Sequence, residues 1–321
     1  MDRRSWTWLL ILGAIWGASY LFIEIGLRDM GPGVVAWLRV AFAAAVLVPV
    51  AAAQGAFAGA RSRAGWLIAV GVIQVAGPFV LIAQGQEEIT SSLAGILVAA
   101  APLFTALLAF GLDSEERSHG LRLVGVFVGF AGVAVLLGLD VGGDGAALLG
   151  GLMVVLASLG YAIGGFIVKD KLTGIAPVGM SALVMTVSTV ALVPLAIAGA
   201  PDSLPGAGPL AAVAALGVLG TGGAFVIFYW LMTTVGPART FVVTFVAPAF
   251  AVVYGATLLD EPIDLETIAG LVLILSGCWL AAEGRLPGGR RPREAPEAPP
   301  GSPAPATSRA ARPTRSGPAA S

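Results

Sequence analysis

The chain has 321 residues, 57% of them hydrophobic and 12% charged, with a net charge of -1 and a mean hydropathy of +0.90. A soluble domain of this length needs far more charge on its surface, so the composition points to lipid, where apolar segments of about 20 residues span the hydrocarbon. Neutrality, and the lack of a basic stripe interleaved with aromatics, leave no case for a nucleic-acid partner.

Apolar runs predict spans at about 6–25, 34–53, 66–86, 93–112, 121–139, 146–168, 178–198, 210–232, 240–259 and 266–283. The first run follows Asp2, Arg3 and Arg4 but exceeds a signal-peptide core and holds Trp16, Tyr20 and Glu24, so it reads as a retained helix. Connectors carry turn and charge signals: Gly31-Pro32-Gly33, Arg61-Ser62-Arg63, Asp113 to His119, Pro201 to Pro209 and Asp260-Glu261-Pro262. With a cytoplasmic N-terminus the inner connectors hold Arg61, Arg63, Arg117, Arg122, Lys169, Lys171 and Arg239, and the outer ones only Arg28. Both termini are therefore expected in the cytoplasm, in a multi-pass protein of the cell membrane. Residues 285–321 are rich in Pro, Ala, Ser and Arg, with seven arginines against two glutamates. Such a tail is expected to be disordered.

The two halves come into register at an offset of 145 or 146. Pro32 falls on Pro177, Leu47-Val48-Pro49 on Leu192-Val193-Pro194, Pro102 on Pro248, Glu115 on Glu261, and Gly125 and Gly132 on Gly270 and Gly277. Each copy holds five spans, and an odd number inserts the second copy facing the other way. The expected fold is an all-α integral membrane protein of ten transmembrane helices, as two inverted five-helix repeats at 6–139 and 146–283. Such repeats supply inward-open and outward-open states by exchanging the arrangements of their halves around a midplane site, which predicts a transporter.

Trp16-Gly17-Ala18-Ser19-Tyr20, Ala36-Trp37-Leu38-Arg39, Ile89-Thr90-Ser91-Ser92-Leu93-Ala94 and Ala101-Pro102-Leu103-Phe104, echoed in Ala247-Pro248-Ala249-Phe250, resemble the EamA family of the drug/metabolite transporter superfamily. The resemblance covers residues 6 to about 283 and implies export of a small metabolite, with proton exchange as the energy source. It does not identify the substrate. Members often carry a lysine where this chain has Glu24. The second copy keeps one at Lys169, so a role for the first-half lysine does not carry over.

Ionisable groups at membrane depth are functional candidates. Glu24 lies near the outer end of the first span, and Arg39 about 8 Å into the second from the same side. An ion pair fixing the hairpin is one reading; titration of Glu24, or its binding of a cationic substrate group, is another. Gln74, Gln84 and Gln86 recur along the third span, with Gln74 and Gln84 ten residues apart on one predicted face; these amides either orient a substrate or cross-link helices, and Glu87 and Glu88 follow as an outer rim. Trp16, Tyr20, Trp37, Phe79, Tyr161, Phe225, Tyr229 and Trp230 suit either a cavity wall or plain packing. Pro78, Pro102 and Pro248 free backbone carbonyls and are expected at kinks or moving helices. The glycine faces around Gly125-x-x-x-Gly129 and Gly270–Gly277 fit packing or a homodimer.

A lone histidine (His119) in a connector and a lone cysteine (Cys278) in a span leave no metal set or disulfide, and no cofactor is expected. Without an in-membrane Asp pair or a Ser with His, an enzyme is not expected. Without GxxxxGK[ST], neither is ATP drive within this chain. An uncoupled facilitator or channel-like permease remains the alternative, and the lipid bilayer, a small solute and protons are the expected partners.

Overall fold

A computed structural model describes residues 2–112, 121–140, 145–240 and 242–283. The tail from 285 and the acidic run Asp113 to Glu116 lie outside the described residues, as does the side chain of Tyr229. Every described element is helical. The spans are α1 (Arg3–Leu27), α2 (Pro32–Ala53), α3 (Arg61–Gly85), α4 (Ser91–Ala109), α5 (Leu121–Gly138), α6 (Gly145–Lys171), α7 (Pro177–Ala198), α8 (Ala207–Met232), α9 (Val243–Leu258) and α10 (Leu265–Ala282). All but α9, a shorter apolar helix, are long and apolar enough to cross a membrane. This is a multi-pass membrane protein.

Helix starts follow local chemistry. Asp2 Oδ1 accepts from Ser5 N at 3.0 Å ahead of α1, and Thr90 Oγ1 from Leu93 N at 3.2 Å ahead of α4. Pro32 and Pro177, matched by the repeat, open α2 and α7, where a missing N–H leaves no bond unmade. Inside the helices the chain departs from uniform α-helix in ways the apolar pattern does not carry. Gly71–Ala76 in α3 and Val218–Gly223 in α8 are π turns, and α4 breaks into Ser91–Val98 and a second piece starting at Ala101.

The inverted relation is visible in the packing. Gly33, at the start of α2, lies on Leu195 near the end of α7, while Gly179 at the start of α7 meets Ala56 just past α2. The equivalent helices α2 and α7 therefore run antiparallel. So do α5 and α10, where Gly125 faces Leu280 and Ala281, and Gly132 faces Leu273 and Ile274. The small-residue faces read from the sequence as packing or dimer surfaces cover each other within one chain.

Three buried clusters of described residues knit the helices together, two of them large. One joins α1, α4, α5, α6 and α10 through Ile23, Leu97, Leu103, Leu136, Val154 and Ile274. The other joins α2, α3 and α7 through Val40, Leu47, Val70, Phe79 and Met185.

Candidate functional site

The π turns of α3 and α8 occupy matching places, Gly71 falling on Val218 at an offset of 147. A π turn takes in an extra residue, interrupts the regular hydrogen-bond ladder and recurs at functional sites. Both abut the opposite half in the same way. A Cβ on Gly71 would stand 2.6 Å from Val187 Cγ1, and one on Gly217 2.5 Å from Phe42 Cβ and 2.7 Å from Arg39 O. Phe42 shifted by 145 is Val187, so this close approach occurs twice.

The chemistry there is not symmetric. At the Gly71 approach Ser188 Oγ donates to Gly71 O at 2.8 Å. At the other, Arg39 Nε donates to Thr221 Oγ1 at 3.0 Å, and Thr221 Oγ1 donates to Leu216 O at 3.2 Å. The Arg39 guanidinium carbon lies 3.6 Å from the centre of the Phe79 ring, a cation–π contact. Its ionisable neighbours are Tyr161 of α6 and Tyr20 of α1. Arg39, Tyr20 and Tyr161 are each partly accessible rather than fully buried.

Other expected cavity residues distribute around this point. Tyr20 packs on Gly95 of α4, where a Cβ would stand 3.1 Å from Tyr20 Cδ2. Trp16, one turn earlier, is turned toward α8, its ring 5.5 Å from that of Phe228. Trp37 packs with Tyr161 and Phe225 against the α2–α3–α7 cluster, its indole N–H buried without a partner. Gln74 rests on Gly164 of α6. Gln84 is elsewhere, donating to Glu87 in the α3–α4 connector, so the two amides are not one pair. The π turn between Gly71 and Ala76 changes the angular step of α3, and a ten-residue spacing no longer marks a common face.

Glu24 does not meet Arg39, as equal depth suggested. It lines a pocket of about 340 Å³ with Arg28, Gln86, Glu88, Thr90 and Glu261 at the end carrying the α1–α2, α3–α4 and α9–α10 connectors. At that end the halves are joined by charge. Asp260 takes a left-handed backbone (φ 55°) and turns the chain back after α9. Glu261 then accepts from Ser91 N at 2.8 Å and Ser92 N at 3.0 Å, and from Ser92 Oγ. A second-half carboxylate thus caps α4 of the first half, where unpaired amides and the helix dipole favour an anion. Asp29 does the same for α8, accepting from Gly206 N at 2.8 Å. Gln86 Nε2 ties this rim to α1 through Tyr20 O at 3.0 Å. Burial, and then the charge of Glu88, push Glu87 above the ordinary carboxylate range, against the opposing bond from Gln84.

The prolines behave differently from one another. Pro78 follows the α3 π turn. Pro102 coincides with the α4 break, which leaves the carbonyls of Val98 and Ala99 without helical partners, since Leu103 N bonds Ala100 O instead. Ser158 Oγ of α6 reaches Leu97 O at 3.2 Å and Val98 O at 3.4 Å, and Cys278 Sγ of α10 reaches Ala99 O at 3.2 Å. Pro248 sits within an unbroken α9. Ser158 shifted by 145 is Gly13, which offers no hydroxyl and packs on Val246 of α9. Sequence reasoning passed over Ser158 and Thr221 and weighed Cys278 only for a disulfide or a metal. Only Thr221 left a trace, standing 147 positions from Gln74 in a glycine-rich stretch.

At the opposite end, Arg4 lies 5.4 Å from the Trp230 ring centre and Lys171 Nζ 5.7 Å from that of Trp66. Among the described residues no group of three or more His, Cys, Asp or Glu could hold a metal ion.

The profile of the EamA-like transporter family matches residues 4–138 and again 148–282. An uncharacterized transporter of Archaeoglobus fulgidus is 24% identical over 291 residues, covering 88% of this chain and 100% of that protein. An uncharacterized inner membrane transporter of Escherichia coli K12 is 27% identical over 84% of this chain and 87% of its own length. A "probable amino-acid metabolite efflux pump" of the same organism is 26% identical over 62% of this chain and 64% of its own. A protein crystal structure superposes with a TM-score of 0.62 at 16% identity, over 88% of this chain and 98% of that one, a likeness of fold.

Proposed function

The chain belongs to the EamA-like transporter family, and from that premise we propose that it is a proton-coupled exporter of small metabolites, working by alternating access between its two repeats. The observation that carries this reading is the doubled approach of Gly71 to Val187 and Gly217 to Phe42, each beside its own polar bond between the halves. Two equivalent packings of unequal chemistry are what a machine with two exchangeable states requires.

The chain sits in the cell membrane with both termini and the Arg4 and Lys171 end in the cytoplasm, as the cation bias favours. The Glu261 end then faces outward, and Glu261 on Ser91 and Ser92 closes the outer side. Glu24 lines the outer pocket with Glu261 and is the proton carrier of this reading. Export of an amino-acid-type metabolite is supported by the name of the Escherichia coli relative. Catalysis has no part in it.

The test is counterflow in proteoliposomes. Labelled amino acids, amines, organic acids and sugars are offered with and without an imposed pH gradient. Accumulation against a gradient, abolished by an uncoupler and pH-independent in Glu24→Gln, supports the reading. Flux that only equilibrates, whatever the pH gradient, identifies an uncoupled facilitator. No flux of any solute overturns transport.

A further inference from the structure

Arg39 stands where the repeat breaks its own symmetry: at an offset of 145 its counterpart is Val184. A cation held inside a membrane protein is normally matched by a carboxylate or by backbone carbonyls. Arg39 has neither. Its Nε–H is used on Thr221, and one guanidinium face is covered by Phe79. Nη1 and Nη2 have no acceptor among the described residues, and neither nitrogen is fully buried. The Tyr20 and Tyr161 hydroxyls near it likewise have no hydrogen-bond partner among the described residues and are not fully buried.

Three accessible polar groups with unfilled hydrogen-bonding capacity therefore neighbour one another, on α1 and α2 of one half and α6 of the other. The geometry that remains is specific. With the Nε side occupied and one face stacked, the free edge is the Nη1/Nη2 fork, which pairs bidentately with a planar carboxylate. The hydroxyls can donate to the remaining lone pairs of such an anion. Amines would meet the cation, and a sugar would leave its charge unmatched. Glu24, the carboxylate of α1, lines the outer pocket and does not neutralise the spot.

We propose that Arg39, with the Tyr20 and Tyr161 hydroxyls, anchors a carboxylate, so that the solutes carried are amino acids or other small organic acids. This deepens the transporter reading and rests on it.

The test uses full-length protein in proteoliposomes at neutral pH with three probes of one body: 3-phenylpropanoate, L-phenylalanine and 2-phenylethylamine. L-Serine, succinate, putrescine and glucose are run beside them. Flux of carboxylate-bearing probes without the amines and glucose supports the anchor; 3-phenylpropanoate alone indicates organic acids, and L-phenylalanine or L-serine as well indicates amino acids. Arg39→Gln is expected to weaken the half-saturation of the transported acid about tenfold or more, with Arg39→Lys between. Thr221→Val removes the bond to Nε while keeping the cation, and is expected to keep the carboxylate preference. Transport confined to amines or glucose overturns the anchor and leaves the transporter reading standing. An Arg39→Gln protein with unchanged preference, or a Thr221→Val protein that loses it equally, also overturns the anchor. If none of the seven probes moves, both readings fall.

Discussion

The break in α4 is held by side chains that come from distant helices. Pro102 supplies no N–H to Val98 O, and Ser158 and Cys278 donate to the orphaned carbonyls. Ser158→Ala is expected to destabilise the protein by about 0.6–1.7 kcal/mol, the range of side-chain hydrogen bonds in lipid, read as a lower melting temperature in detergent. Gly13→Ser, at the matching place beside unbroken α9, gains no such partner and meets Val246, so it is not expected to stabilise. At the rim, Glu87 sits above its ordinary carboxylate range because of burial and Glu88. The folded state thus holds this proton more tightly than the unfolded chain. Its contribution favours folding at acid pH, below the unfolded value, and fades as pH rises through the elevated folded value. Glu87→Gln is expected to flatten the melting curve against pH across that interval, with little change below it. Single residues were the least legible part of the sequence. Proline announced a freed carbonyl, but nothing linear says which hydroxyl will reach it. Glu24 and Arg39 were matched by depth alone, and depth leaves out the direction each side chain takes around its helix.

At the scale of elements, hydrophobic runs located the spans well because lipid imposes one length on all of them. They could not announce π turns, which keep the same apolar composition and change only the angular step. Glycine spacing marked α5 and α10 as tightly packed surfaces but left the partner open. Their partner is each other: a Cβ on Gly277 would stand 2.5 Å from Gly129 Cα, and one on Gly125 2.6 Å from Leu280 Cβ. Backbone cannot yield as a side-chain tip can. Gly277→Leu is therefore expected to cost about 1–3 kcal/mol or more through overpacking, appearing as aggregation in size-exclusion chromatography of the detergent extract. Gly208→Leu, with nothing within 4 Å of the added Cβ, is expected to elute like the parent protein. If both variants behave alike, the intramolecular α5–α10 face is not what the glycines serve.

At the scale of the molecule, the duplication was legible because its offset is nearly constant, and the odd span count dictated the inversion. The sequence placed Glu261 opposite Glu115 in the repeat, but not its reach across to α4 of the other half. That reach depends on the left-handed turn at Asp260 and on Gly255, where a Cβ would collide with the Glu261 carboxylate. Ser91 N and Ser92 N are among the amides that a helix cannot satisfy internally, so an ionised partner is stabilising there. Hydrogen bonds to a charged group contribute about 1.5–3 kcal/mol, and each 1.4 kcal/mol is tenfold in an equilibrium. Removing the charge but not the shape, Glu261→Gln is expected to shift the balance between closed and open forms of this end by about tenfold or more. Spin labels at Glu88 and Asp264, both exposed, would report it in a Cys278→Ser background. The parent protein should give one short, narrow distance, and the Gln variant a longer, broader distribution. Gly255→Ala should do the same by displacing the carboxylate rather than neutralising it. An unchanged distance in both variants would mean that this contact is a helix cap and nothing more, and the outer closure would have to be sought in other contacts between the halves.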